Sequence, residues 1–464
     1  DHIKSMKKIK LFLLALLITA IPKSLWAYTV HQIVSFDGGQ THYKVLIASG
    51  PNASLMFLGT KLKGHLDIPA EINDKQGTTF KVTEIGFQSG YASREITSVK
   101  LPGTIVKMNN DCFLGAKLTE INIPKSVVEI SAWAWSAMYE TPKCKVEDGN
   151  TKFESDSDGA LYAKGKKALR CIPSKIMGTG GNNTYTVNSA VDTIYVNAFH
   201  AIANLKKVVL PQNLKFVQEL YPSIATGTDL VEFVLPDGGN TNYRVEDGVL
   251  FNNVTKTLVC YPRAKDTKEY TVPDDIKRIA PFAMMVTLHM TSLNLNHVTK
   301  LERSALYKPQ KLETITIPKE LTKSGLVDGA FEECVKLKAY EVATGNPDFS
   351  AEGGVLFSKN KTKLCYYPPA KSGTTYNIPS TVTEIGQKAF QGANNLTSMV
   401  VPATVDSIGI EAFRNMVNLK KVEFEEPSTV RYLKNDVFRA CKSLKEVILP
   451  TSITELASAF YECQ

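Results

Sequence analysis

The sequence predicts a β-rich solenoid of stacked short repeats, and three observations carry that prediction. An apolar residue followed by an aromatic five positions later recurs along the chain, as in Ile385/Phe390, Ile408/Phe413 and Leu433/Phe438. An apolar triplet at offsets 0, 3 and 5 follows each pair, as in Leu396/Met399/Val401, Leu419/Val422/Phe424 and Leu444/Val447/Leu449. The period is 22 to 25 residues, the mark of a repeat array rather than of several ordinary domains. A unit this short cannot bury its own apolar face, so it must stack on copies of itself.

Residues 1–27 read as upstream sequence and a secretory signal peptide. Asp1–Ser5 precede a plausible start at Met6, and Lys7, Lys8 and Lys10 form a basic region before the apolar run Leu11–Ile21. That run is too short to span a bilayer, and Ala27 sits where cleavage is expected. No transmembrane segment is expected in the mature chain. Removing these residues, with five lysines and one aspartate, lowers the formal net charge from +8 to +4. Lysine and glutamate are interspersed, so nucleic-acid binding has no electrostatic footprint.

Residues 28–80 do not follow the repeat. Short β runs at Tyr43–Ile47, Ser54–Leu58 and His65–Pro69, separated by Gly, Pro and Asn turns, predict an N-terminal β cap over the first rung. Residues 81–464 carry the repeat. Offsets 3 and 5 differ by two, which is a strand with one buried face. Many rungs end in proline (Pro102, Pro124, Pro211, Pro236, Pro318, Pro402, Pro450), which lacks an N–H and stops the ladder.

A longer module overlies the short one. Asn150-Thr-Lys-Phe153, Asn240-Thr-Asn-Tyr243 and Asn346-Pro-Asp-Phe349 each precede a Gly-x-Leu-[Tyr/Phe] segment of equal length: Gly159–Pro173, Gly248–Pro262 and Gly354–Pro368. These read as three β-hairpin insertions with Lys/Asn-rich tips.

On IGQKAFQGANNLTSMVVP, IGIEAFRNMVNLKKVEF, the GVLF…YP hairpins and YNIPSTVTEIG, the chain resembles the BspA-type leucine-rich-repeat surface proteins over roughly residues 81–464. The resemblance implies a right-handed, curved leucine-rich-repeat array outside the cytoplasm, with a role in adhesion to host proteins or other cells. The departures are Trp133-Ala-Trp135 for the usual Ala-Phe, Met284 and Leu306 in place of the aromatic, and a last repeat one residue short at Leu456–Phe460.

Catalytic signals are weak. The mature chain has six histidines, none in HExxH or beside a recognisable nucleophile. Asp156-Ser-Asp158-Gly159 opens like a calcium loop but lacks the downstream acidic ligand, so a hairpin turn is expected. Gly178-Thr-Gly-Gly181 lacks the lysine of a phosphate loop and reads as a link. Most cysteines fall at repeat-equivalent places (Cys334, Cys441 and Cys463; Cys171, Cys260 and Cys365), as small buried hydrophobes do. Cys441 and Cys463 share an offset in adjacent repeats, so a bond between them stays open. No cofactor, metal or enzymatic activity is expected.

Surface remains. Offsets 2 and 4 of each rung point away from the core, about 4.8 Å apart per repeat. The candidate binding face is Lys100, Glu120, Asn122, Lys207, Glu232, Asn294, Thr314, Thr316, Glu341, Lys421, Glu423 and Glu446. The expected function is a secreted or cell-surface, non-enzymatic scaffold that binds a protein; a glycan-binding module is the alternative.

Overall fold

The computed structural model describes residues 28–74, 76–86, 92–136, 138–177, 183–218 and 229–463. The leader expected in 1–27 and the link expected at Gly178–Gly181 lie outside them. The chain divides into two compact units, described separately below. The architecture is a β-solenoid. Among the described residues, the one helical element is the single 3-10 turn Lys164–Lys166.

The first unit holds the described residues up to Tyr139, together with Val146–Lys152. Ile33–Val34, Thr41–Ile47 and Ser54–Thr60 pair antiparallel. Thr79–Ile85 then joins Ser54–Thr60 in parallel, and the two-residue strands Lys107–Met108 and Glu129–Ile130 continue the parallel ladder. The switch to parallel pairing is where the repeat begins to stack. Phe57, on an antiparallel strand, meets the repeat aromatic Phe113 at 5.7 Å between ring centroids.

In the second unit most repeats contribute one rung strand and one two-residue strand. Rungs align in register, as in Ser292↔Thr314↔Ala339 and Ser398↔Lys421↔Glu446. The residues at offsets 0, 3 and 5 are buried in most rungs: Leu205, Val208 and Leu210, or Leu312, Ile315 and Ile317. Phe390, Phe413 and Phe438 form the expected column, with centroids 5.4 and 5.1 Å apart. It is longer than the sequence indicates, reaching Tyr367 at one end and Phe460 at the other. Met284 and Leu306 take the aromatic place in their own repeats and are buried, as Trp135 is within the first unit.

The turn around the aromatic forms a ladder of its own. Residues two before and two after it adopt positive φ: Lys388 and Gly392 around Phe390, Glu411 and Asn415 around Phe413, Asp436 and Ala440 around Phe438. The N–H groups of Lys388, Phe390 and Gly392 consequently donate to the carbonyls of Ile410, Ala412 and Arg414 one repeat on. Left-handed φ costs a non-glycine residue about 1–2 kcal/mol; the backbone donors satisfied along this ladder offset that strain.

The hairpins are internal partitions rather than appendages on the solenoid. In the second hairpin, Val249, Phe251 and Leu258 pack into the core that follows. Leu250, Val259 and Cys260 pack into the core that precedes. The third divides its faces the same way, Leu356 and Cys365 from Val355 and Phe357. Burial on both faces explains the near-continuous apolar runs in these strands.

Each hairpin docks through its leading glycine. The carbonyls of Gly159, Gly248 and Gly354 accept from the N–H of the last rung residue, Cys144, Phe233 and Tyr340. Their φ values are +87°, +74° and +81°, and an added Cβ would lie 2.8–3.0 Å from the Cβ of Lys143, Glu232 or Ala339. Gly248→Ala should therefore lose at least the ~1–2 kcal/mol of the left-handed φ. A urea midpoint equal to the parent's would show that the docking is loose.

The asparagine before each hairpin closes the preceding bend. In this unit, Asn346 Nδ2 donates to the carbonyls of Pro318 and Leu321, while its Oδ1 accepts from the N–H groups of Asp348 and Phe349. Asn240 repeats the arrangement on Gln212 and Leu214. In the first unit, Asn150 Nδ2 donates to the carbonyls of Pro124 and Val127.

Candidate binding face

The predicted face residues lie on the outward side of the rungs. In the first unit, Lys100 is exposed and in register with Asp67, Asn122 is exposed, and Glu120 is half-buried. In the second unit the outward columns form three blocks, because each docked hairpin glycine takes the position of the next rung. The continuous columns expected from the period are thus divided, into sheets of three, four and three strands.

The first block joins Lys207 to Glu232 in an ion pair of 2.9 Å. In the second, Asn294, Thr316 and Glu341 are in register beside Thr314, and Thr316 Oγ1 donates to Glu341 at 3.1 Å. In the third, Lys421 pairs with Glu423 at 3.0 Å and with Glu446 at 3.8 Å. The Glu423 carboxylate raises the pKa of the Lys421 ammonium. The charges of this face are therefore largely paired with one another. Flanking Glu423 in register are two aliphatic side chains, Val400 at 43% and Ile448 at 41% exposure.

The residues weighed for chemistry sit in structural roles. Asp156 Oδ1 accepts from the N–H groups of Asp158 and Ala160, and Oδ2 accepts from the Tyr162 hydroxyl, so the carboxylate is spent on its own hairpin turn. Among the described residues, no group of three or more His, Cys, Asp or Glu could hold a metal ion. The thiols of Cys334, Cys441 and Cys463 donate to the carbonyls of Leu306, Phe413 and Phe438, each the aromatic-place residue one repeat earlier. A thiol there fills space and satisfies a carbonyl, which accounts for its recurrence. All eight cysteines, Cys144 and Cys171 as well as Cys441 and Cys463, are free thiols in this structure, and burial pushes Cys441 up to about 12.

Two concavities have no sequence signal of ligand type. One of about 310 Å³ lies beside the third hairpin, lined by Leu326, Phe349 and Tyr366 with Asp348, Lys363 and Glu384. It opens where the bend is long: Phe331 lies thirteen positions after Pro318, whereas Phe413 lies eleven after Pro402. The ladder of two-residue strands there shrinks to the single bridge Leu301↔Leu326. The spacing is readable in the sequence; the opening it makes is not. A wider groove of about 920 Å³ is lined by Gln212, Asn213, Asn240, Thr241 and Asn242, with the Asp192–Lys215 pair at 3.5 Å.

No helix among the described residues is long and apolar enough to cross a membrane. No curated protein matches the chain. Solved structures that it resembles include a leucine-rich repeat protein from Eubacterium ventriosum, 17% identical over 92% of this chain and 93% of that one, with a TM-score of 0.42. A leucine-rich cell surface protein from Faecalibacterium prausnitzii is 17% identical over 93% and 92%, with a TM-score of 0.38. The pneumococcal vaccine antigen PcpA is 18% identical over 92% and 78%, with a TM-score of 0.32. The model of the BspA-type leucine-rich-repeat region matches in six copies, over residues 76–157, 166–244, 260–352 and 363–464. With most of its length under that model and its rungs stacked in register, the chain belongs to the BspA-type leucine-rich-repeat family.

Proposed function

We propose that this chain is an exported, non-enzymatic binding scaffold that holds a protein partner on the outward face of its rungs. The supporting observation is the block formed by Ser398–Val401, Lys421–Phe424 and Glu446–Ile448. There Val400 and Ile448 stand exposed on either side of mutually paired charges. Desolvating two aliphatic side chains favours association, and pairing within the face lowers the penalty of covering its charges. Extended faces of this kind are what stacked repeats offer to a partner. The leader read in residues 1–27 supports export.

The test is capture of a panel of purified extracellular proteins by the mature chain, followed by variants of the chain. Val400→Asp with Ile448→Asp should weaken binding at least tenfold, mainly through faster dissociation. Lys359→Glu with Lys361→Glu, at the third hairpin tip, should leave it unchanged. The opposite pattern would move recognition to the hairpins.

The glycan reading keeps one observation in its favour, the amide-lined groove of Asn213 and Asn242. Neither side-chain amide has a hydrogen bond among the described residues, so both are open to sugar hydroxyls. Glycan capture lost on Asn213→Ala with Asn242→Ala, and kept on Ile448→Asp, would favour that reading over the protein one.

A further inference from the structure

The three supermodules set two side chains against each other at one recurrent place. The first is the rung residue whose N–H donates to the hairpin glycine: Cys144, Phe233 and Tyr340. The second lies in the hairpin's last strand, opposite the leucine of Gly-x-Leu: Cys171 opposite Leu161, Cys260 opposite Leu250, and Tyr366 opposite Leu356. In the third supermodule the two are tyrosines whose ring centroids lie 6.1 Å apart. In the second, Phe233 and Cys260 share one core. In the first, both are cysteines, 0% and 1% exposed.

We propose that Cys144 and Cys171 form a disulfide that fastens the first hairpin to the rung on which it docks. Two features single out this pair. The ring contact at Tyr340 and Tyr366 shows that, in the third supermodule, the two positions face each other across the hairpin interface. The Cys171 thiol, ahead of burial, holds the Cys144 thiol well above its usual pKa, which fits two thiols brought together at this place.

Thiols enclosed at the docked interface are out of reach of an oxidant, so the bond must close before the hairpin docks. One cysteine thiolate attacks a sulfur of a small-molecule or protein disulfide, releasing one thiol of that oxidant and forming a mixed disulfide. The other cysteine attacks its partner's sulfur in the mixed disulfide, closing Cys144–Cys171 and releasing the second thiol. Two electrons and two protons pass from the pair to the oxidant. Export supplies an oxidising compartment in the reading above, but the pairing itself can be tested without it.

The full chain, reduced and denatured, is refolded in a glutathione redox buffer; free thiols are then blocked and the protein is digested with trypsin. The expected product links the peptides Cys144–Lys145 and Cys171–Lys175. Titration after denaturation should find six free thiols of the eight cysteines. Reductant should lower the melting temperature of the parent and leave that of Cys171→Ser unchanged. Eight free thiols, or a linkage dominated by another pair such as Cys441 with Cys463, would overturn the proposal. Because the linkage is read on the parent chain, a variant that folds poorly does not decide the outcome.

Discussion

Truncating Phe413 to alanine should cost about 3–5 kcal/mol. The ring is fully buried, with Phe390 at 5.4 Å on one side and Phe438 at 5.1 Å on the other. Its removal opens a cavity that rigid ladders on both sides prevent from collapsing, and it breaks two stacked contacts as well. Repeat arrays lose cooperativity locally, so the loss should appear as an earlier, separate melt of the C-terminal repeats. Phe460→Ala, at the partly exposed end of the column, should cost less. A melt of Phe413→Ala that overlays the parent would remove the column as a source of stability.

Lys388→Met should be comparably damaging, at about 3–5 kcal/mol, although it keeps most of the side-chain volume. The Lys388 ammonium lies 2.6 Å from Glu332 and 3.3 Å from Glu411, and all three side chains are at most 16% exposed. Arg414 pairs with Glu411 at 3.0 Å, and the Ser304 hydroxyl donates to Glu332 at 3.1 Å. Without the ammonium, Glu332 keeps, among the described residues, only that hydroxyl as a partner for its buried charge. The double variant Lys388→Met/Glu332→Gln should recover part of the loss, because it removes the orphaned carboxylate. Lys421→Met on the exposed face should cost no more than about 1 kcal/mol. Equal effects of Lys388→Met and Lys421→Met in denaturant melts would contradict the network.

The repeat was legible because burial imposes a fixed pattern. Ile408, Phe413, Leu419, Val422 and Phe424 must all be apolar for one repeat to stack, and no other residue type serves. The left-handed turn was not legible. Lys388, Glu411 and Asp436 carry positive φ without being glycines, since the gain lies in ladder bonds to the next repeat. The hairpins were visible as strands, but nothing local told that Val249 and Leu250, adjacent in sequence, enter different cores. The outward residues lie on the rungs, in separate blocks rather than continuous columns. Their charges nevertheless pair with each other, as in Lys207 with Glu232, because register brings opposite charges together across neighbouring strands. That pairing shifts the expected source of affinity from Lys421 to Val400 and Ile448.

Hydroxyl-radical footprinting of the mature chain, with and without the panel protein it captures, tests the central claim most directly. The account predicts that Val400 and Ile448 lose most of their reactivity in the complex, while Val254, exposed at the tip of the second hairpin, reacts as before. Undiminished labelling of Val400 and Ile448, with protection at the hairpin tips or along Gln212–Lys215, would contradict it.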